Sequence, residues 1–289
     1  MKLSTEISST SKHVGEEKAI ELIAKAGFDH WDFTMCTNMC IFDWEKRTWT
    51  LSNEPLGTNN YLKFAKKLKD IGLYNGITCN QSHAPFPVDN PFIYDYLMRS
   101  IECTAEAGGK ICIIHPDNFS TPEKNAEMYN MLLEFAKPFN VKIATENMWG
   151  WDDKLDQADF AACSTPESFH EHFKAVNNDE NLVACLDIGH AEMRGLNTSA
   201  VDMIYKLGDK LQALHVHDND KWHDSHQIPM SMNIDFYPIM KALKDVNYKG
   251  ELTLESDAYL RKFNKDNVFE GVKDLYNSAK KLSDLFENF

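Results

Sequence analysis

An alternation along the chain constrains its fold more than any other feature. Eight short strand-like runs, KLSTEIS, HWDFTM, YNGITCNQ, KICIIH, VKIATEN, LVACLDI, LQALHVH and GELTLES, are spread through the 289 residues. Between them lie longer segments such as EEKAIELIAKAG, NNYLKFAKKLKDIG, IYDYLMRSIECTAEAGG and AEMYNMLLEFAKPF. Apolar residues recur in these at i, i+3 and i+4, the mark of a helix with one buried stripe. Gly27, Gly72 and Gly108 stand where helices would stop, and STPE at Ser120–Glu123 and Ser164–Glu167 where helices would start. Eight such repeats predict an α/β fold, a (β/α)8 TIM barrel, as a single domain over residues 1–289. A doubly wound open sheet is the alternative; no glycine-rich dinucleotide fingerprint follows the first run to support it.

Composition narrows the partners. A net charge of −14 argues against a broad surface for nucleic acid or an anionic membrane. No apolar run approaches the roughly 20 residues that span a bilayer, and MKLSTEISSTSKH has no secretory apolar core. Seven scattered cysteines suit free thiols in a reducing compartment, so the expected location is cytoplasmic. The irregular piece from Cys36 to Asn59 carries Phe42, Trp44 and Trp49 and reads as an aromatic lid or a packed surface excursion. HEH at His170–His172 reads as a solvated helix face.

The ionisable residues collect where a barrel puts its chemistry, at the C-terminal ends of the strands. The third run leads into His83, the fourth ends at His115 and the fifth at Glu146. The sixth gives Asp187 and His190, the seventh His215 and His217, the following loop Asp224 and His226, and the eighth Glu255. Strand alternation turns Leu214 and Val216 outward and both His215 and His217 inward; Glu146 and Glu255 also face in. Unpaired carboxylates in such an interior would be very costly, and a divalent cation is the simplest common partner.

SHAPF, IIHPD, TEN, DIGH, HVHDND and the glutamate of LTLES, in this order, resemble the xylose isomerase-like TIM-barrel superfamily, which includes sugar isomerases, epimerases and endonuclease IV-type enzymes. Its ketose-epimerase branch implies one divalent metal ion (Mn²⁺, Mg²⁺, Co²⁺ or Zn²⁺) held by Glu146, Asp187, His217 and Glu255, with His217 favoured over His215. It also implies Glu146 and Glu255 as the catalytic proton-transfer pair, working beside a carbonyl through a metal-stabilised enediolate. His190 matches that branch's substrate-binding histidine. His83, His115, Trp149, His215, Asp224 and His226 complete the expected substrate contacts, with Trp149 either stacking on a sugar ring or simply packing.

The expected function is therefore carbohydrate isomerisation or epimerisation of a small-molecule sugar or polyol, with no nucleic acid or membrane partner. The resemblance is also compatible with a homo-oligomer. Two alternatives stay open. An endonuclease IV-like reading places up to three zinc ions on His83, His115, Glu146, Asp187, His190, His217, Asp224, His226 and Glu255. An inosose-type dehydratase would reuse the same proton abstraction on the same scaffold.

Overall fold

Inward- and outward-facing residues alternate along most of the eight runs, which close into a ring. The computed structural model describes residues 1–289, the side chain of Thr37 excepted. Its barrel strands are β1 (Leu3–Thr5), β2 (His30–Thr34), β3 (Thr78–His83), β4 (Ile111–Ile113), β5 (Lys142–Glu146), β6 (Leu182–Asp187), β7 (Leu211–His215) and β8 (Leu252–Leu254). β2 to β7 form a continuous parallel sheet, each strand paired to its neighbour in sequence. β1 pairs with β8 in parallel, and single bridges Glu6–Asp32 and Val216–Leu254 join that pair to the sheet at both edges. The fold is the expected TIM barrel.

The two faces of the sheet separate as the sequence predicts. Ile143, Leu214, Val216, Leu252 and Leu254 pack outward into the shell of helices. Ile113, Ala144, Val183, Cys185 and Ala213 fill part of the barrel interior as a separate small cluster. Small residues such as Ala144 and Ala213 suit the crowded axis, where bulky side chains from several strands would collide.

The helix signals mostly act where they stand. Thr121 and Thr165 cap the helices Pro122–Ala136 and Pro166–Ala175, accepting from the Lys124 and Ser168 amides. Gly27 and Gly108 end their helices at φ 115° and 92°, a left-handed region open to glycine. Gly72 does not. The helix Tyr61–Tyr74 runs past it and is closed at Asn75, and a side chain at Gly72 would meet the Trp31 indole and the Ile77 carbonyl at 3.0 Å. Close packing, and not a stop, requires that glycine. His172 is likewise buried, its Nε2 3.1 Å from the Asn125 amide, so only part of the HEH face is solvated.

The segment after β2 forms a short helix, Cys36–Met39, and an antiparallel hairpin, Cys40–Asp43 with Thr48–Leu51. All seven cysteines are free thiols. No helix among the described residues is long and apolar enough to cross a membrane.

Candidate metal centre

Strand register carries the acids and imidazoles to one layer. Glu146 ends β5 opposite Cys185 of β6, and Asp187 ends β6 opposite His215, the last residue of β7. His83 ends β3, His115 lies two residues beyond β4, and Glu255 follows β8 directly. Glu146, Asp187 and His215 are all but inaccessible to solvent.

Glu146 is the hub. One oxygen lies 3.0 Å from His215 Nδ1; the other lies 3.2 Å from His115 Nε2 and 3.5 Å from His83 Nε2. Glu255 Oε2 sits 3.3 Å from the same His215 nitrogen. Donor atoms of Glu146, Asp187, His215 and Glu255 all fall within 4.8 Å of one another, as do those of His83, His115 and Glu146. Two ligands held about 2.0–2.4 Å either side of an ion are no farther apart than that.

The structure divides the two strand-seven histidines between neighbouring donor groups. His215 gathers with the carboxylates of Glu146, Asp187 and Glu255, and His217 with His190, Asp224 and His226 while also reaching Asp187. Both histidines face inward, but two residues of strand separate them by about 6.6 Å. His217 therefore sits past the ladder that ends at the Asp187–His215 pair. Its ring stacks on His226 at 4.0 Å and 10°, with Nε2 3.1 Å from Asp187 Oδ1 and 3.4 Å from Asp224 Oδ1. Gly189 of DIGH makes room for it: a Cβ there would lie 1.9 Å from His217 Cε1.

The electrostatics are those of a site short of positive charge. Burial pushes the Glu146 carboxyl up, but His215, His115 and His83 together hold it well below the usual range. Burial raises Glu255, and the Glu146 charge adds to the rise. Burial opposes a charged His190, yet Asp187 and Asp224 lift it to about 10. His115 is pushed down to about 4 by burial. Its Nε2 is 2.9 Å from His83 Nε2, so the two rings share a single proton. Glu146 Oε2, Asp187 Oδ2, His215 Nε2, His217 Nε2 and Asp224 Oδ1 are buried without a hydrogen-bond partner, the ion-pair distances above lacking hydrogen-bond geometry. Unsatisfied buried donors and acceptors are rare, and those of Glu146, Asp187, His217 and Asp224, all members of the donor groups, fit bound cations.

Three further residues hold the donors in place, and two of them, Asn147 and Asp32, had not stood out in the sequence. Asn147 accepts from the Asp187 amide (2.8 Å), donates to the Asp187 carbonyl (2.9 Å) and offers its own carbonyl to His190 Nδ1 (2.8 Å). Its place directly after Glu146 was the available signal. Asp218 takes the amides of Asn219, Ser231, Met232 and Ile234 and so folds the loop that presents Asp224 and His226. Asp32, fully buried on β2, points at His215.

Above the donors opens a cavity of about 330 Å³. Its floor includes His83, His115, Glu146, His190 and Glu255, and Trp44, Phe86, Phe119 and Trp149 wall it. Phe86 stacks on His115 at 4.5 Å, and Trp44 from the hairpin reaches within 6.4 Å of Phe86. Arg47 of the same hairpin is paired with Asp89 across the mouth.

Residues 20–277 match the family described as xylose isomerase-like TIM barrel. The chain belongs to that family. It is 27% identical over 192 residues to an uncharacterized protein of Methanocaldococcus jannaschii, covering 60% of this chain and 63% of the relative. It is 25% identical over 173 residues to an uncharacterized protein of Sinorhizobium fredii, covering 56% and 52%. The chain thus spans between half and two-thirds of these curated relatives. Among solved structures, a D-tagatose 3-epimerase-like protein superposes with a TM-score of 0.70 at 21% identity, over 99% of this chain and 97% of that one. A D-psicose 3-epimerase gives 0.69 at 15% over 99% of each, and a 3-keto-D-glucoside 4-epimerase from E. coli 0.68 at 13% over 97% and 99%. At such identities the likeness is one of fold, whole chain on whole chain.

Proposed function

We propose that this family member is a divalent-cation-dependent isomerase or epimerase of a small free sugar, moving a proton on the carbon beside a carbonyl. One observation carries the reading: Glu146, Asp187, His215 and Glu255 converge within 4.8 Å, and Glu146 and Glu255 among them line an aromatic-walled cavity. Four oxygen and imidazole donors suit Mn²⁺, Mg²⁺, Co²⁺ or Zn²⁺. Bound there, the cation supplies the positive charge that polarises a carbonyl and offsets negative charge on its oxygen.

The chain's own groups then divide the work. Glu146 and Glu255 come from strands three places apart around the ring, and their environments drive their proton affinities in opposite directions. Such a split is how two carboxyls take the roles of base and acid. Glu146 takes the proton from one face of the carbon, and Glu255 returns one to the other face. His190, its Nδ1 fixed by the Asn147 carbonyl, donates its Nε2–H to a substrate hydroxyl that takes the place of Asp224. Trp149 and Phe86 cover the ring and keep water out. Arg47 alone among the cavity-lining residues is a lysine or arginine, and Asp89 occupies it, which favours an unphosphorylated substrate. Seven free thiols support a reducing, cytoplasmic setting. The structural neighbours named as sugar epimerases agree with the reading.

Two contiguous further donor groups, His83–His115–Glu146 and His190–His217–Asp224–His226, favour a second reading, a phosphodiester hydrolase on several zinc ions. The net charge of −14 weighs against a polyanionic substrate. The test is to incubate protein loaded with Mn²⁺, Co²⁺ or Zn²⁺ with free ketopentoses and ketohexoses, and separately with DNA containing abasic sites. New sugar epimers or isomers support the proposal, whereas strand scission without sugar turnover replaces it with the hydrolase.

A further inference from the structure

Asp32 has no assigned task in the site, yet it is fully buried and no lysine or arginine pairs with it among the described residues. Its single cationic neighbour is His215, whose Nε2 lies 3.4 Å from Asp32 Oδ2. A carboxylate with no exposed surface is costly unless it is paired, so the position calls for a reason. The local backbone is built to meet it. Between the pairs Trp31–Cys79 and Phe33–Ser82, β3 carries one residue more than β2, and irregularities of this kind re-aim side chains, here turning Gln81 toward Asp32. Gln81 Nε2 then grips Asp32 Oδ2 at 2.9 Å while also reaching the Leu214 carbonyl at 3.3 Å, next to His215 itself.

The His215 ring has two edges. Nδ1 faces Glu146 at 3.0 Å and Glu255 at 3.3 Å, so it is the nitrogen turned toward the donor group. A ligating nitrogen must offer its lone pair, which leaves the ring proton on Nε2. Nε2 is buried and has no hydrogen-bond partner, and the carboxylate facing it is that of Asp32. We infer that Asp32 is a positioning residue for cation binding: it accepts the His215 Nε2–H, fixes the tautomer with Nδ1 free, and holds the ring at the angle that Glu146, Asp187 and Glu255 require. The inference rests on the proposed cation site. Carboxylates behind ligating histidines act this way generally, and their loss weakens metal affinity about 10- to 100-fold.

The experiment is Mn²⁺ and Co²⁺ affinity by calorimetry on the full chain, comparing the parent with Asp32→Asn, Asp32→Glu, Gln81→Ala and Glu6→Gln. Asp32→Asn is expected to bind about 10- to 100-fold more weakly, with Asp32→Glu recovering part of the loss. Gln81→Ala, which frees Asp32 from its grip, is expected to lose several-fold, and it carries the test should Asp32→Asn not fold. Glu6→Gln removes the buried carboxylate across the Glu6–Asp32 bridge and is expected to stay within about twofold of the parent, separating positioning from loss of any buried charge. An affinity within twofold of the parent in folded Asp32→Asn, or equal losses in Asp32→Asn and Glu6→Gln, overturns the inference while leaving the cation site standing. A parent protein that takes up no cation overturns both.

Discussion

Glu146 touches His83, His115 and His215 at once, and its replacement is the most informative single change at the site. Glu146→Gln keeps the shape and removes the base. Turnover should fall by about 10²- to 10⁴-fold, the range for loss of a positioned proton acceptor, measured as kcat on the ketose that proves to be a substrate. His215 makes a second prediction. Burial opposes its charge, and the Cys185 thiol, pushed up to about 12 by its own burial, is neutral at ordinary pH. The carboxylates of Glu255, Glu146 and Asp32 are therefore what hold the His215 imidazole protonated, well above its usual range. Ligation needs the neutral ring, so cation uptake must release protons and apparent affinity must rise with pH through the neutral range. Calorimetry in buffers of different ionisation enthalpy would report the protons released; none released would contradict this state of His215. At this scale the sequence shows which way a side chain faces and not how deep it lies. His215 and His217 share a face by period two, and only the pairing of Asp187 with His215 separates their layers.

At the scale of elements, the hairpin Cys40–Leu51 is rooted in the core through Cys40 and Trp49 and carries Trp44 of the cavity wall on its exposed tip. Trp44 is 62% exposed and packs near Phe86 over the cavity, so it contributes little to the core. Trp44→Ala should leave the denaturant midpoint close to the parent's and raise KM about 3- to 10-fold with kcat little changed, the size expected for one lost stacking contact. The caps behave oppositely. Thr121→Ala and Thr165→Ala should each cost about 1 kcal/mol of stability, read from urea unfolding, with no change in KM. Those caps were legible because STPE states its own geometry: a side-chain acceptor, then proline at the first helical position. Gly72 and His172 were not, because what decides them is a neighbour distant in sequence, Trp31 for one and Asn125 for the other. Asp32 escaped notice for the same reason. HWDFT reads as an ordinary strand, and only closure of the barrel brings its acid to His215.

For the whole molecule, the ring of eight strands explains why residues as far apart as Asp32 and Glu255 meet one imidazole. The repeat pattern foretold that convergence, because any closed parallel barrel gathers its strand ends at one mouth. It could not foretell which donors share an ion, since that depends on stagger between strands. The central claim is that this mouth moves a proton beside a sugar carbonyl. Its most direct test is NMR of candidate free ketoses incubated in D₂O with cation-loaded protein. The account predicts uptake of solvent deuterium at the carbon next to the carbonyl, dependent on added cation and abolished by Glu146→Gln. Cation-loaded protein that washes no deuterium into any free ketose, or does so equally well with Glu146→Gln, would contradict it.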